Sequence, residues 1–326
     1  MGGPYNDRNS MIGKAALTEL YVYDGSRVTA LAAPAARPLR FAAWAPDGAR
    51  ALLVGNRGQA LWFDGTSFEP LETGVKHNLR GLGWSPDGER ALIAGNRGAV
   101  LLLERGQVRE LPSPTVENLR RVAWSPDGSC ALIAGNAGVV LRFDAASGEL
   151  LPLPGDRAHT MRSIAWRPDG AYALIGAYAS RFAGYPRPHL LYRCDGRYTQ
   201  GILSTDDEDD AIAIDWRPGA RPASALVLAV AYGDGDALAN KLFTYDGAGF
   251  GRRPIEAPAT LLGAGWSPDG KHALLCGERG TLLRMTDSAI EPVAAGTRDN
   301  LIGPFWRPNS PQALMLKGPE ERVYTV

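Results

Sequence analysis

Seven residues before each of four tryptophans stand His77, Glu117, His159 and Asp209. These are side-chain types that zinc accepts. Brought together, they would make a metal or acid/base site. Such a site needs ligand bonds of about 2.0–2.2 Å, and side chains 40 or more residues apart reach that only if the fold converges them. A second candidate, for calcium, is the acidic run Asp206 to Asp210 with Asp234 and Asp236. It lacks the Asp-x-Asp-x-Asp-Gly order of a calcium loop. The expectation is therefore no cofactor, with zinc or calcium as the alternative.

Two other groups carry chemistry of a different kind. Four residues before successive tryptophans stand Arg40, Arg80, Arg120 and Arg162, followed at the same place by Ile212, Leu262 and Ile302. Two readings stand for the arginines: a basic arc that receives a complementary partner, or copies of one repeat that pair with Glu or carbonyl groups between units. The segment around Tyr178, Arg181, Phe182, Tyr185 and Arg187 is aromatic and basic, the composition of interface hot spots. Asp207, Asp209, Asp234 and Asp236 form an acidic counterpart.

The element that must position all of these is Trp84-Ser-Pro-Asp-Gly88, followed by Ala91-Leu-Ile-Ala-Gly95. It recurs around tryptophans 44, 84, 124, 166, 216, 266 and 306, at spacings of 40, 40, 42, 50, 50 and 40. In one repeat, a strand ending at Trp84 has small Gly81 and Gly83 facing a neighbouring tryptophan. Ser85 to Gly88 suits a type I turn, with Pro presetting φ and Gly accepting positive φ. Ala91 to Ala94 reads as a strand buried on both faces. Asn96-Arg97-Gly98 turns into a third strand, and Val108 to Leu111 is the fourth. No sustained helical periodicity interrupts the pattern. Seven such units predict an all-β, seven-bladed β-propeller over residues 17–326, preceded by a polar tail at 1–16. The closing blade takes its fourth strand from Val28 to Leu31, and both Leu20 to Tyr23 and Arg322 to Val326 compete for the third.

Counting places the extra length of repeats 4 and 5. It falls between second and third strands, at 177–189 and mostly at 232–241. In a propeller those connections share a face with the links between blades, which include Asp206 to Asp210. The long loops, the acidic run and the arginines therefore converge on one face, which becomes the expected partner surface.

The Trp-x-Pro-Asp-Gly repeat followed by a short apolar strand resembles that of Tol-B-type propellers, relatives of WD repeats, over about residues 40 to 316. The resemblance implies a propeller fold and roles as scaffold, periplasmic partner or non-catalytic domain. Trp216-Arg-Pro-Gly and Trp306-Arg-Pro-Asn depart from the motif.

Composition narrows the function. Formal charge is zero, with 35 basic and 35 acidic residues, which argues against a general nucleic-acid binder. Cys130, Cys194 and Cys276 lack metal spacing and are expected as buried free thiols. His272, in a Pro-Asp-Gly-Lys-His turn, is expected in solvent. Serine-hydrolase, phosphate-loop and metalloprotease motifs do not occur in the sequence. With no long apolar run, no membrane insertion is expected; a cytoplasmic location is, unless a secretion leader has been removed. The sequence thus predicts a non-enzymatic scaffold that binds a protein partner. The alternatives are a ligand or metal site at the channel mouth and a structural subunit of a larger assembly.

Overall fold

A computed structural model describes residues 18–155, 159–178, 189–204, 209–232 and 238–319. The described residues form seven four-stranded antiparallel sheets, six of them consecutive in sequence. Blades 1 to 7 are numbered here by their tryptophans, Trp44 to Trp306, each of which ends an innermost strand. The seventh sheet has Leu301–Trp306 inside and Ala313–Lys317 second, then Thr18–Tyr23 and Val28–Ala33 outside. Thr18–Tyr23 thus takes the contested third place, bonded to strands from both chain ends. Tyr21 fastens the closure, its hydroxyl donating to the Asp299 carboxylate, which also meets Lys317 Nζ at 3.0 Å.

The core lies between blades rather than within one. Along the second strand of blade 2, Ala91 and Ile93 pack against blade 1, while Leu92 and Ala94 pack against blade 3. Alternate side chains of a strand point to opposite faces. A strand with both faces covered must therefore be apolar throughout, and residues 91 to 94 are fully buried.

The tryptophan-turn motif joins neighbouring blades. Ser85 to Gly88 closes with Gly88 N–H donating to the Ser85 carbonyl at 2.9 Å and Gly88 at φ +75°. Ser85 Oγ donates to Asp87 and accepts the Arg90 N–H. The space at Gly81 and Gly83 serves the next blade's backbone rather than a tryptophan ring. A Cβ on Gly81 would lie 2.5 Å from the Arg120 carbonyl. The indole reaches the carbonyl instead: Trp124 Nε1 donates to Gly83 O at 3.0 Å. His272 also departs from expectation. It is 8% exposed, with its ring edge-on to Trp306 at 5.4 Å. Burial lowers its pKa, with Arg284 adding to the shift. All three cysteines are buried and outside any disulfide.

Candidate functional site

Each innermost strand carries a β-bulge near its start. In blade 3, Leu119 pairs with Gly135 and Arg121 with Ala134, leaving Arg120 as the extra residue. The same shift falls at Arg40, Arg80 and Arg162, and at Ile212 and Leu262. A bulge re-aims a side chain out of the ladder. Here it turns the arginine toward its own blade's second turn: Nε of Arg40, Arg80 and Arg120 donates to Asn56, Asn96 and Asn136 at 3.0, 3.0 and 2.9 Å. That turn is tied to the next blade, since Asn78 and Asn118 accept the N–H groups of Arg57 and Arg97. The guanidinium groups are thus held by neutral amides, and pairing with Glu or inter-blade carbonyls, one of the two readings, is absent at these three among the described residues.

Sequence reading missed a fifth member, Arg121. Its Nη1 donates to the carbonyls of Arg80 and Arg120 at 3.2 and 2.9 Å, and its guanidinium lies 4.8 Å over the Phe41 ring. Arg162 completes the cluster by stacking 3.7 Å over Tyr178. Among the described residues, none of these five arginines has an ion pair. Burial and mutual repulsion lower the pKa of Arg120 to about 10, with Arg162 and Arg80 the main neighbours. Arg121 falls to about 10 chiefly through burial, opposed by Tyr178. Guanidinium groups near one another, with no ion pair among the described residues, make a site of positive potential at the channel mouth.

The other predicted groups fare differently. His77, Glu117, His159 and Asp209 do not converge: among the described residues no three His, Cys, Asp or Glu side chains could hold a metal. Position replaces chemistry there, since the Glu117 and His159 carbonyls each accept a glycine N–H from the preceding blade's turn at 2.8 Å. Asp209 is buried against Lys241, whose Nζ lies 2.9 and 3.1 Å from its two oxygens. Asp209 and Asp210 are each 2% exposed and begin an eight-residue strand, Asp209–Trp216. They are not part of an exposed acidic arc. Much of the extra length in blade 5 lengthens strands, to Ala225–Tyr232 and Leu238–Tyr245. Tyr178 is half-buried, pairs with Asp210 across a bridge and belongs to the arginine cluster. Arg181, Phe182, Tyr185, Arg187, Asp207, Asp234 and Asp236 lie outside the described residues, as do residues 1–16.

Behind the arginine mouth the channel holds a cavity of about 390 Å³. Its lining side chains are mostly apolar, from Phe41, Val122 and Ile164 round to Phe305 and Trp306, with Arg121 and Asp215 among them. Burial raises the Asp215 carboxyl to about 7, partly offset by the backbone N–H groups of Trp266 and Trp216.

The fold is shared with solved structures. A chain described as "YCF48 bound to D1 peptide" has a TM-score of 0.63 and 13% identity, covering 92% of this chain and 95% of its own. The Myceliophteria thermophila Cps50 (Swd1) β-propeller domain has a TM-score of 0.59 and 13% identity, with 87% and 97% covered. These likenesses establish a β-propeller. No protein-family model matches the sequence, and no curated protein does at a significant level.

Proposed function

We propose that this propeller is a non-enzymatic scaffold, with a repeat of the Tol-B type, that docks a protein partner by seating its carboxylates on Arg40, Arg80, Arg120, Arg121 and Arg162. The carrying observation is that these arginines come together with no ion-paired carboxylate among the described residues. Charge brought together without a counter-charge is unfavourable to the free fold, and a partner's carboxylate removes that cost. Guanidinium presents fixed paired donors that fit a carboxylate. Tyr178, beside Arg162, adds an aromatic edge of the kind enriched at interfaces. The zero net charge favours a protein over a nucleic acid as partner. That a structurally similar chain is described as bound to a peptide is in keeping with this reading.

The test is fluorescence polarisation with a panel of labelled peptides, acidic, neutral and basic, the acidic ones also as C-terminal amides. Acidic peptides should bind, and higher salt should weaken them. Arg80→Ala with Arg120→Ala should cost roughly 150-fold or more, at about 1.5–3 kcal/mol for each charge-assisted hydrogen bond lost. Equal affinity for acidic and basic peptides, or an unchanged affinity in the double variant, would overturn the reading.

A further inference from the structure

The channel behind the mouth breaks the rule by which the other blades pack. The residue before each tryptophan reads Ala43, Gly83, Ala123, Ala165, Asp215, Gly265 and Phe305. Where it is Ala or Gly, its carbonyl accepts the next blade's indole N–H: Trp84, Trp124, Trp166, Trp216 and Trp306 donate at 3.0–3.3 Å. Following Asp215 and Phe305, the indoles of Trp266 and Trp44 are buried without a partner among the described residues. Arg217 and Arg307 lie over the two rings at 4.7 and 4.6 Å, as Arg90 lies over the paired Trp124 at 5.3 Å. A buried donor left unpaired is unfavourable to the fold. Asp215 and Phe305 line the same cavity, and packing rules are broken most often where a site needs the space or the group.

The wall chemistry defines what would fit. Asp215 Oδ2 accepts the Trp266 backbone N–H at 2.7 Å. The carboxyl is therefore fixed in direction. Arg121 is fixed by its two carbonyls and by Phe41, which meets Phe305 edge-on at 4.9 Å. Ser163 is spoken for, donating to the Ala211 carbonyl at 3.2 Å. What remains among the cavity side chains is one acid and one guanidinium beside mostly apolar groups, in an open cavity of about 390 Å³, within the size range of a small-molecule pocket. We propose that the channel binds a small zwitterion with an apolar body, of the amino acid or aminoalkanoate class, its ammonium on Asp215 and its carboxylate on Arg121. Arg121 is shared with the proposed docking site, so a zwitterion and a partner's carboxylate would compete for it, whereas Asp215 belongs to the channel site alone.

Isothermal titration with 4-aminobutanoate, 6-aminohexanoate and 8-aminooctanoate, against hexanoate and hexylammonium, tests it. One zwitterion should bind roughly tenfold or more tighter than either single-charge probe, as expected for one further charged contact. Its affinity should rise from pH 6 to 8 as Asp215 ionises, while that of hexanoate does not rise. Asp215→Asn keeps an acceptor for the Trp266 N–H and should remove the preference for the zwitterion; Asp215→Ala, matching three other blades, should do the same. The proposal fails if no probe gives saturable binding, if single-charge probes bind as well, or if both Asp215 variants bind as the wild type does.

Discussion

One ring of positions, four residues before each blade's tryptophan, has two unlike arcs. Blades 1 to 4 place Arg40, Arg80, Arg120 and Arg162 there, and blades 5 to 7 place Ile212, Leu262 and Ile302. The backbone is the same through blade 6, bulge included. The scaffold therefore presents the position, and side-chain identity alone decides what it offers. On the basic arc the guanidinium groups repel one another across blades. On the apolar arc Ile212 and Ile302 line the channel, and the single carboxyl in the cavity wall, Asp215, stands three residues beyond Ile212. The two arcs strain against stability in opposite senses of charge, which makes the contrast open to experiment.

The largest effect is expected on the apolar side. Asp215 has its carboxyl raised to about 7 from an ordinary 3.8, so folding favours its protonated form. Stability is then lost as pH rises from about 4 to about 7, and the loss is full above that. Asp215→Asn should remove the loss, raising the denaturant midpoint at pH 8 with little change at pH 4. The upper bound is about 4 kcal/mol, at 1.36 kcal/mol for each pKa unit. A wild type and variant that run parallel across this range would break the contrast. Next comes conversion of one arc into the other. Arg80→Leu with Arg120→Leu should leave stability unchanged or raise it by up to roughly a few kcal/mol, because desolvated charges are exchanged for apolar packing. Clear destabilisation in urea would mean that the Asn96 and Asn136 contacts outweigh the repulsion.

The architecture was legible because its signals are local and repeated. A tryptophan, a Pro-Asp-Gly turn and an apolar strand recur together, and closure follows from counting what lies beyond Trp306. The arginine arc was legible for the same reason. Arg121 was not, because its ring reads Phe41, Gly81, Arg121, Ser163, Ala213, Gly263 and Gly303 and gives no pattern. Only the bulge between Leu119 and Arg121 explains how consecutive arginines serve one mouth. The acidic run misled for a physical reason as well. Five successive acids have the composition of a solvated loop, but Asp209 finds Lys241, 32 residues away, across a sheet that is longer in blade 5 than elsewhere. Asp215 did leave a signal, as the lone acid in a ring of Ala, Gly and Phe.

The smallest effect isolates charge from shape. Asn136 accepts from Arg120 Nε at 2.9 Å, and Asp has nearly the same outline as Asn. Asn136→Asp therefore gives the cluster one internal counter-charge with little change in packing. Arg120 is buried, so desolvation offsets much of what the new ion pair gains, and the thermal midpoint should rise only slightly. The same carboxylate should compete with a docked one, and acidic peptides should bind more weakly while the salt dependence of binding becomes shallower. If stability rises and peptide affinity holds, the arginines owe their arrangement to folding alone and the two arcs differ in structure but not in role. If affinity falls while the fold stands, the uncompensated charge of blades 1 to 4 is what the partner reads.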